Sequence, residues 1–213
     1  MLKLQWKRSG GLAAGTAMLA LAAAPGATAA TPHGCGPANA PTLAGNSQVR
    51  IYRLASKGTA TTVFGCIRGS SKTTPIGPVA SAGPKAAVHP PIALNGKWVG
   101  VVEERPVGKT AKRVYVASRN VGSGKGRRCL IGSGDAKSKA PAVRVVLMNQ
   151  AGALGWAAIT PTPNGRAPLI GACDSQGNRV LASGAGVEID TLQLTGSTLH
   201  WVDASGPRSA QLR

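Results

Sequence analysis

Short runs of alternating apolar and polar residues, bounded by Gly, Pro, Asn and Ser, fill most of the chain after residue 48. In residues 49–54, for example, Val49, Ile51 and Leu54 are apolar and arginines lie between them. β-branched and aromatic residues dominate these runs, whereas helical periodicity is almost absent beyond the first 30 residues or so. The pattern predicts an all-β fold of short antiparallel strands.

Some of the predicted strands repeat in a fixed order. Residues 92–103 contain a strand, a tight x-Gly turn, a second strand and an acidic residue, and residues 192–203 repeat this order. Residues 145–158 follow it more loosely, and each copy has a tryptophan on its second strand, as expected of large core residues. Two more strands follow the first and the loose copy. The repeat is therefore a four-stranded unit with a spacing of roughly 45 to 60 residues, which is typical of propeller blades.

The two ends of the chain contain partial units. We interpret residues 49–54 and 61–67 as the third and fourth strands of one unit, and residues 192–212 as the first two or three strands of another. A propeller blade shared by both termini would combine them and give about three blades, fewer than the usual four to eight. Either the Pro/Gly-rich stretch 69–91, with a weak strand near residues 86–89, hides a unit, or the sheets form an incomplete propeller-like stack. A β-sandwich is the alternative fold.

The clearest copy has the pattern L-x-L-x-G-x-x-L-x-W-x-[DE] at residues 192–203, followed by Arg-Ser-Ala-Gln-Leu at 208–212. This pattern resembles the repeats of secreted bacterial β-propellers of the TolB-like or WD-repeat-like type. The resemblance extends over most of the chain at the level of strand pattern, and it implies a binding platform. No functional residue is carried over from that family, because the blade number and the sharper motifs differ.

The first 29 residues have the three parts of a secretory signal peptide, namely a basic start, an apolar run at 12–24 and a small-x-small site at 27–29. The apolar run is shorter than the roughly 20 residues of a membrane-spanning helix, although an uncleaved anchor is the alternative. We predict cleavage near Ala29, one β-repeat domain at residues 30–213, and a secreted, periplasmic or cell-envelope protein of bacterial type.

All four cysteines lie after the predicted cleavage site. An even number of cysteines in an exported chain predicts disulfide bonds. Three pairings are open, and the shorter loops favour Cys35–Cys66 and Cys129–Cys173. The cysteines are far apart, unlike the close pairs of zinc sites, so we expect no metal and no cofactor.

The chain is strongly basic, with a formal net charge of +18 that falls to +15 when the signal peptide, with three basic residues and no acid, is removed. Such charge favours anionic cell-wall polymers, glycans, lipid headgroups or nucleic acid, and another protein is also a possible partner. An equally simple explanation is solubility or an arginine-rich composition. Few aromatic residues accompany the charge, which argues against sequence-specific nucleic-acid binding. The candidate polyanion-binding residues are Arg113, Arg119, Lys125, Arg127, Arg128, Lys137 and Lys139.

Two Gly-Lys sequences, at 108–110 and 124–126, lack the first glycine of a phosphate-binding loop and are interpreted as basic hairpin loops. No G-x-S-x-G motif accompanies the histidines. His200 lies near Asp203, but strand alternation places His200 and Trp201 on opposite faces. The histidines are His33, His89 and His200, and the carboxylates considered for acid–base catalysis are Glu103, Glu104, Asp174, Glu188, Asp190 and Asp203.

Glu103 and Asp203 occupy equivalent positions in the repeat, which indicates a shared role at the strand end. No set of residues matches a known catalytic arrangement. The sequence therefore predicts a secreted, non-enzymatic binding or scaffold protein with a basic surface. The alternatives are a cell-wall-associated polyanion-binding protein and, less favoured, a secreted hydrolase with an unrecognised site.

Overall fold

The computed structural model describes residues 35–55, 61–78, 91–135 and 139–213. Within these ranges the chain forms 15 strands and no helix, which confirms the all-β prediction. The predicted signal peptide, His33, His89, Lys137 and the weak strand proposed near residues 86–89 lie outside the described residues.

The strands form four antiparallel sheets, each built from strands that are consecutive in the chain. Sheet 1 contains β1 (Thr42–Gly45), β2 (Val49–Ala55), β3 (Thr61–Ile67) and β4 (Thr73–Pro78). Sheet 2 contains β5 (Ala93–Asn95), β6 (Trp98–Val107), β7 (Ala111–Asn120) and β8 (Gly126–Gly134). Sheet 3 contains β9 (Ala142–Met148), β10 (Leu154–Thr162), β11 (Gly165–Asp174) and β12 (Gly177–Ser183). Sheet 4 contains β13 (Glu188–Thr195), β14 (Thr198–Asp203) and β15 (Gly206–Gln211).

The strand count at the two ends differs from the sequence prediction. The runs at 49–54 and 61–67 are the second and third strands of a complete sheet, because β1 and β4 flank them. Strand β4 lies within the Pro/Gly-rich stretch 69–91 and completes sheet 1. The two ends of the chain therefore form separate sheets, and the described sheets number four rather than about three. Strands β13, β14 and β15 pair with one another, and sheet 1 already has its four strands, so the described strands include no blade shared by the two termini.

A recurring backbone hydrogen bond establishes which strands are equivalent. In sheets 1, 2 and 4 the residue after the third strand donates its N–H to a carbonyl in the first hairpin turn, 2.8 Å away in each case. The donors are Arg68, Val121 and Leu212, and the acceptors are Gln48, Lys97 and Ser197. Strand β15 is therefore a third strand, and sheet 4 has no fourth strand within the described residues.

The sheets stack in chain order, with an apolar cluster between each pair of neighbours. Val49 and Ile51 of sheet 1 pack against Val99 and Val101 of sheet 2. Burial of one such side chain stabilises the fold by about 1.5–3 kcal/mol. The cluster between sheets 2 and 3 includes Val116, Met148 and Trp156, and the cluster between sheets 3 and 4 includes Ile170, Leu199 and Trp201.

The tryptophans serve as core residues, as predicted from the repeat. Trp156 is fully buried and Trp201 nearly so. The indole of Trp156 lies so close to Gly171 that a Cβ there would be 2.2 Å from Cζ2 of the ring. Trp98 covers Gly152 in the same way, at 2.5 Å from a Cβ on that glycine. These glycines let each ring lie flat against neighbouring backbone.

Asparagines in the first turn of sheets 1, 2 and 3 link each sheet to the next. Asn46 Nδ2 of sheet 1 donates to the carbonyl of Gly96 at 3.0 Å, and Asn95 Nδ2 of sheet 2 donates to the carbonyl of Met148 at 3.1 Å. Asn149 Nδ2 of sheet 3 donates to Ser197 Oγ at 3.0 Å. We call these three residues the asparagine ladder. The equivalent residue of sheet 4 is Thr195, so the ladder ends there.

The two outer faces of the stack are finished differently. On sheet 1, Tyr52 and Cys66 are buried beneath the segment 35–40, which Arg50 holds through backbone carbonyls. On sheet 4, the outer face carries exposed polar side chains in register, among them Gln193, His200 and Ser209. Terminal units of stacked repeats need such covered or polar outer faces.

The two disulfides have the pairing that the shorter loops favoured. Cys35–Cys66 attaches the segment before β1 to strand β3, and Cys129–Cys173 joins β8 of sheet 2 to β11 of sheet 3. Each closes a loop of a few tens of residues, so each stabilises the fold by about 3–4 kcal/mol in the chain-entropy model.

Candidate functional site

Positive charge is concentrated toward one end of the stack. The segment 93–134, which contains the strands of sheet 2, has nine lysines and arginines against two glutamates. The segment 188–211 of sheet 4 has one arginine against three acids. Sheet 1 is also basic, with five lysines and arginines and no acid in residues 42–78. A polyanion would therefore be attracted to sheets 1 and 2 rather than to sheet 4.

Strand alternation divides the face of sheet 2 that points toward sheet 1 into an apolar half and an arginine-rich half. Val99 and Val101 occupy the covered half, and Glu103 and Arg105 follow on the same face of β6. Directly across on β7, Tyr115 is opposite Glu103 and Arg113 is opposite Arg105. Strand β8 adds a third arginine to this half of the face. We call Arg105, Arg113, Tyr115 and Arg128 the arginine face.

Glu103 is the buried centre of this face. Its side chain is completely buried, and Oε2 accepts hydrogen bonds from Arg105 Nε at 3.1 Å and Nη2 at 3.0 Å. Arg128 Nη1 lies 3.7 Å from the same oxygen. Oε1 has no hydrogen-bond partner among the described residues and faces Gly77 of β4, where an added Cβ would be 3.1 Å away. One carboxylate oxygen thus holds two guanidinium groups.

Tyr115 provides the second support for Arg128. The guanidinium carbon lies 5.1 Å from the centroid of the tyrosine ring, within the range of a cation–π interaction. The side chains of Arg105 and Arg128 are 40% and 42% exposed, so their remaining N–H groups are accessible to solvent. The arrangement presents fixed donors and positive charge, above a carboxylate that solvent does not reach.

The other residues proposed for polyanion binding are distributed over different surfaces. Arg119 is half-buried and donates to the carbonyls of Ile76, at 3.2 Å, and Gly124, at 3.5 Å, so it bridges sheets 1 and 2. Arg127 lies on the opposite face of β8, with Nη1 buried and unpartnered among the described atoms. Lys125 and Lys139 are exposed in connecting segments, and Lys137 lies outside the described residues.

Of the predicted set, the structure places Arg113 and Arg128 on the same face of sheet 2. It adds Arg105, which is not in that set, and also Tyr115 and the buried Glu103, for which the sequence analysis predicted no polyanion-binding role. A signal for part of this was present, because Glu103 and Arg105 are two residues apart on a strand and so share a face. The contact with Gly77 depends on the packing of two sheets and has no such signal.

The Gly-Lys sequences are hairpin loops, as predicted. Gly108 begins the turn between β6 and β7, and Gly124 lies in the connection between β7 and β8. Both glycines have positive φ, 64° and 72°, which the turns require. Neither loop precedes a helix, which a phosphate-binding loop needs.

The histidine and Asp203 of sheet 4 lie on opposite faces of β14. His200 is exposed and Trp201 is buried, so they lie on opposite faces as predicted. Asp203 is paired with Arg208 Nε at 3.1 Å and accepts the Ser205 N–H at 2.8 Å. Near Asp203 a cleft of about 370 Å³ is lined by residues 181–187 and 203–205, which provide no second titratable group.

Asp174 has a structural role at the boundary between sheets 3 and 4. It forms an ion pair with Arg179 and accepts the backbone N–H of Arg213 at 3.0 Å, which fixes the end of the chain after β15. Burial by itself would raise the pKa of Asp174, but hydrogen bonds from Arg179 and from the N–H groups of Arg213 and Gln176 outweigh burial and leave the pKa lowered. Within the described ranges no group of three or more His, Cys, Asp or Glu residues is arranged to hold a metal ion.

Comparison with known proteins adds no family to this geometry. A scan against protein-family models and searches of curated proteins and of solved structures found no match for the chain. The resemblance to TolB-like or WD-repeat-like propellers therefore stays a prediction. None of the described residues belongs to a helix with the length and apolar character needed to cross a membrane.

Proposed function

We propose that this is a secreted, non-enzymatic binding protein that attaches to an anionic glycan or wall polymer through the arginine face. The main support is the set of three arginines on one face of sheet 2, two of them held by the buried Glu103. The predicted signal peptide and the two disulfides support an extracytoplasmic location, where such polymers occur.

The chemistry of the face favours binding over catalysis. Arg105, Arg113 and Arg128 offer hydrogen-bond donors and positive charge, whereas the carboxylate beneath them is buried and engaged by two arginines. A general base must reach the proton that it removes. An arginine face of this kind is suited to holding oxyanions in place.

An anionic glycan is favoured over nucleic acid because of the aromatic content. Proteins that bind single-stranded nucleic acid combine positive charge with open aromatic rings on which bases stack. On this face the ring is Tyr115, and Arg128 lies against it. The face therefore provides charge without a free stacking surface.

The experiment measures binding to heparin, as a sulfated glycan, and to a phosphorylated mannan across a salt series. We expect affinity to fall steeply with salt, because neutralised polymer charges release counterions. The double substitution Arg113→Gln and Arg128→Gln should weaken binding about tenfold or more, because it removes two direct contacts with the polymer charges. The matched control is Arg144→Gln with Arg166→Gln, which removes the same charge from exposed positions of sheet 3.

Equal losses in the two double variants, or binding that is independent of salt, would contradict the proposal. Tighter binding to a single-stranded oligonucleotide than to either glycan would overturn the choice of ligand. A rate of ester, peptide or glycoside hydrolysis that one substitution abolishes would overturn the non-enzymatic assignment.

A further inference from the structure

Two arginines of the arginine face are placed directly opposite each other on neighbouring strands. Arg105 of β6 and Arg113 of β7 are cross-strand partners, so their side chains leave the same face of the sheet. Like charges in this arrangement are destabilising. Departures from the local rules of folding are expected at functional sites. Glu103 offsets the charge of Arg105, but Arg113 has no ion-pair partner among the described residues, so an anion bound between the two side chains would relieve their repulsion.

The three arginines retain donors for such an anion. Arg105 uses Nε and Nη2 on Glu103 and keeps Nη1, and Arg128 directs only Nη1 toward Glu103. Arg113 is exposed and forms no ion pair with any described residue. Planar guanidinium groups form paired hydrogen bonds with phosphate and sulfate oxygens, which lysine cannot reproduce.

Two of the three arginines are held before any ligand arrives. Glu103 fixes Arg105 through two hydrogen bonds, and Glu103 and Tyr115 hold Arg128 from two sides. Ordering side chains on binding costs affinity, and groups that are already ordered avoid much of that cost. The buried Glu103 thus holds the two arginines in position for a ligand, in addition to its place in the fold.

We propose that Arg105, Arg113 and Arg128 form a single site for one tetrahedral oxyanion, a phosphate or sulfate ester group of the bound polymer. Three guanidinium groups on one face can provide donors for each of the three free oxygens of a phosphate monoester or sulfate ester, whereas a carboxylate has two oxygens. Glu103 is the positioning residue of the site, and Tyr115 supports Arg128. This inference rests on the proposed function and names the chemical group that the polymer carries.

Lysine substitutions test the site separately from the charge of the face. Arg113→Lys and Arg128→Lys keep the charge and remove the guanidinium fork, and Arg166→Lys is the matched control on sheet 3. Inorganic phosphate, sulfate and acetate are titrated into each folded protein by calorimetry at low ionic strength. We expect saturable one-to-one binding of phosphate or sulfate, weaker binding of acetate, and a loss of about tenfold in each of the two variants but not in the control.

The outcomes separate the site from the proposed function. If glycan binding is salt-dependent but phosphate and sulfate do not saturate, or if both lysine variants bind them like the wild type, the site is wrong and the proposed function stands. If no glycan binds, the proposed function fails. Which of phosphate and sulfate binds more tightly identifies the ester on the polymer.

A positioning role for Glu103 and a purely electrostatic role predict opposite changes in phosphate affinity. Glu103→Gln raises the net charge by one, so a purely electrostatic face would bind phosphate more tightly. A positioning role predicts weaker binding and a smaller preference for phosphate over acetate. If that variant does not fold, Tyr115→Leu should weaken phosphate binding about two- to fivefold, and Tyr115→Phe, which keeps the ring, should not. Tighter binding in Glu103→Gln, or equal binding in Tyr115→Leu and Tyr115→Phe, would contradict the role.

Discussion

Sheets 2 and 4 begin with the same hairpin, in which a strand, an x-Gly turn and a second strand end in an acidic residue. Gly96 and Gly196 both have positive φ, 56° and 62°, so the turns have the same conformation at this position. Sheet 2 lies inside the stack with a sheet on each side, whereas sheet 4 ends it with a polar outer face. One local motif is thus packed in two different ways.

The two acidic residues have different surroundings. Glu103 is completely buried against β4 and holds two arginines, whereas the Asp203 side chain is 21% exposed and closes its own turn with Ser205 and Arg208. The neighbouring sheet makes the difference, because β4 covers Glu103 at Gly77 and a cleft lies beside Asp203. The same position therefore supports the arginine face in sheet 2 and a turn in sheet 4.

The largest expected effect is the difference in stability loss when each of these two carboxylates is removed. Glu103→Ala should destabilise the protein by about 2–4 kcal/mol, because it leaves a cavity and removes the common partner of two arginines. Asp203→Ala should cost under about 1 kcal/mol, because its ion pair is partly exposed. Urea unfolding with the disulfides intact measures both. Similar losses in the two variants would mean that burial does not make Glu103 more important for stability than Asp203.

The next effect concerns the asparagine ladder, which has a residue in each of sheets 1, 2 and 3 and none in sheet 4. Asn149→Ala should cost about 2 kcal/mol, because it removes the bond to Ser197 and leaves the buried N–H of Ala153 unpaired. Thr195→Ala at the equivalent position of sheet 4 should change stability by less than about 0.5 kcal/mol. Thermal unfolding of the two variants provides the test, and an equal shift would show that the ladder does not join the sheets.

The smallest effect concerns the attachment of sheet 4 and depends on pH. The pKa of Asp174 is lowered from 3.8, so the charged form is favoured in the folded state. Its contribution is present above the unfolded pKa and is lost as the pH falls through the folded pKa. Asp174→Asn should therefore lower stability by about 1–2 kcal/mol at neutral pH and flatten the decline of stability below about pH 4.

Asp190→Asn is the control for Asp174, because Asp190 is an exposed residue of sheet 4. Amide exchange in β15 should quicken in Asp174→Asn and not in the control. Unchanged exchange would show that this aspartate does not fix the end of the chain to sheet 3.

Most of the fold could be predicted from local patterns, because sheets built from consecutive strands need only local information. Strands β6, β10 and β14 have clear apolar runs and a following or preceding turn signal. Strand β1 has four residues, all exposed or half-buried, and β4 is an edge strand with two prolines and a glycine, so neither has the alternation of a central strand. Missing these two strands led to the wrong number of sheets.

From the sequence, the site could be predicted only as a set of basic residues and not as an arrangement on one face. Arg113 and Arg128 belong to the basic set, but so does Arg119, which donates to the carbonyl of Ile76 in the neighbouring sheet and to that of Gly124 in its own β7–β8 connection. Which face an arginine occupies depends on strand register, and β-bulges such as the one between Val114 and Tyr115 shift that register without a sequence signal. The role of Glu103 depends further on which sheet packs above it.

The most direct test of the account is a map of where an anionic ligand binds. Amide chemical shifts of the labelled protein would be followed while a phosphorylated or sulfated oligosaccharide is added at low salt. The account predicts perturbations concentrated in β6, β7 and β8, around Tyr115 and Arg128, and unchanged signals for His200 and Ser209 of sheet 4. Perturbations centred on sheet 4, or spread evenly over all four sheets, would contradict it.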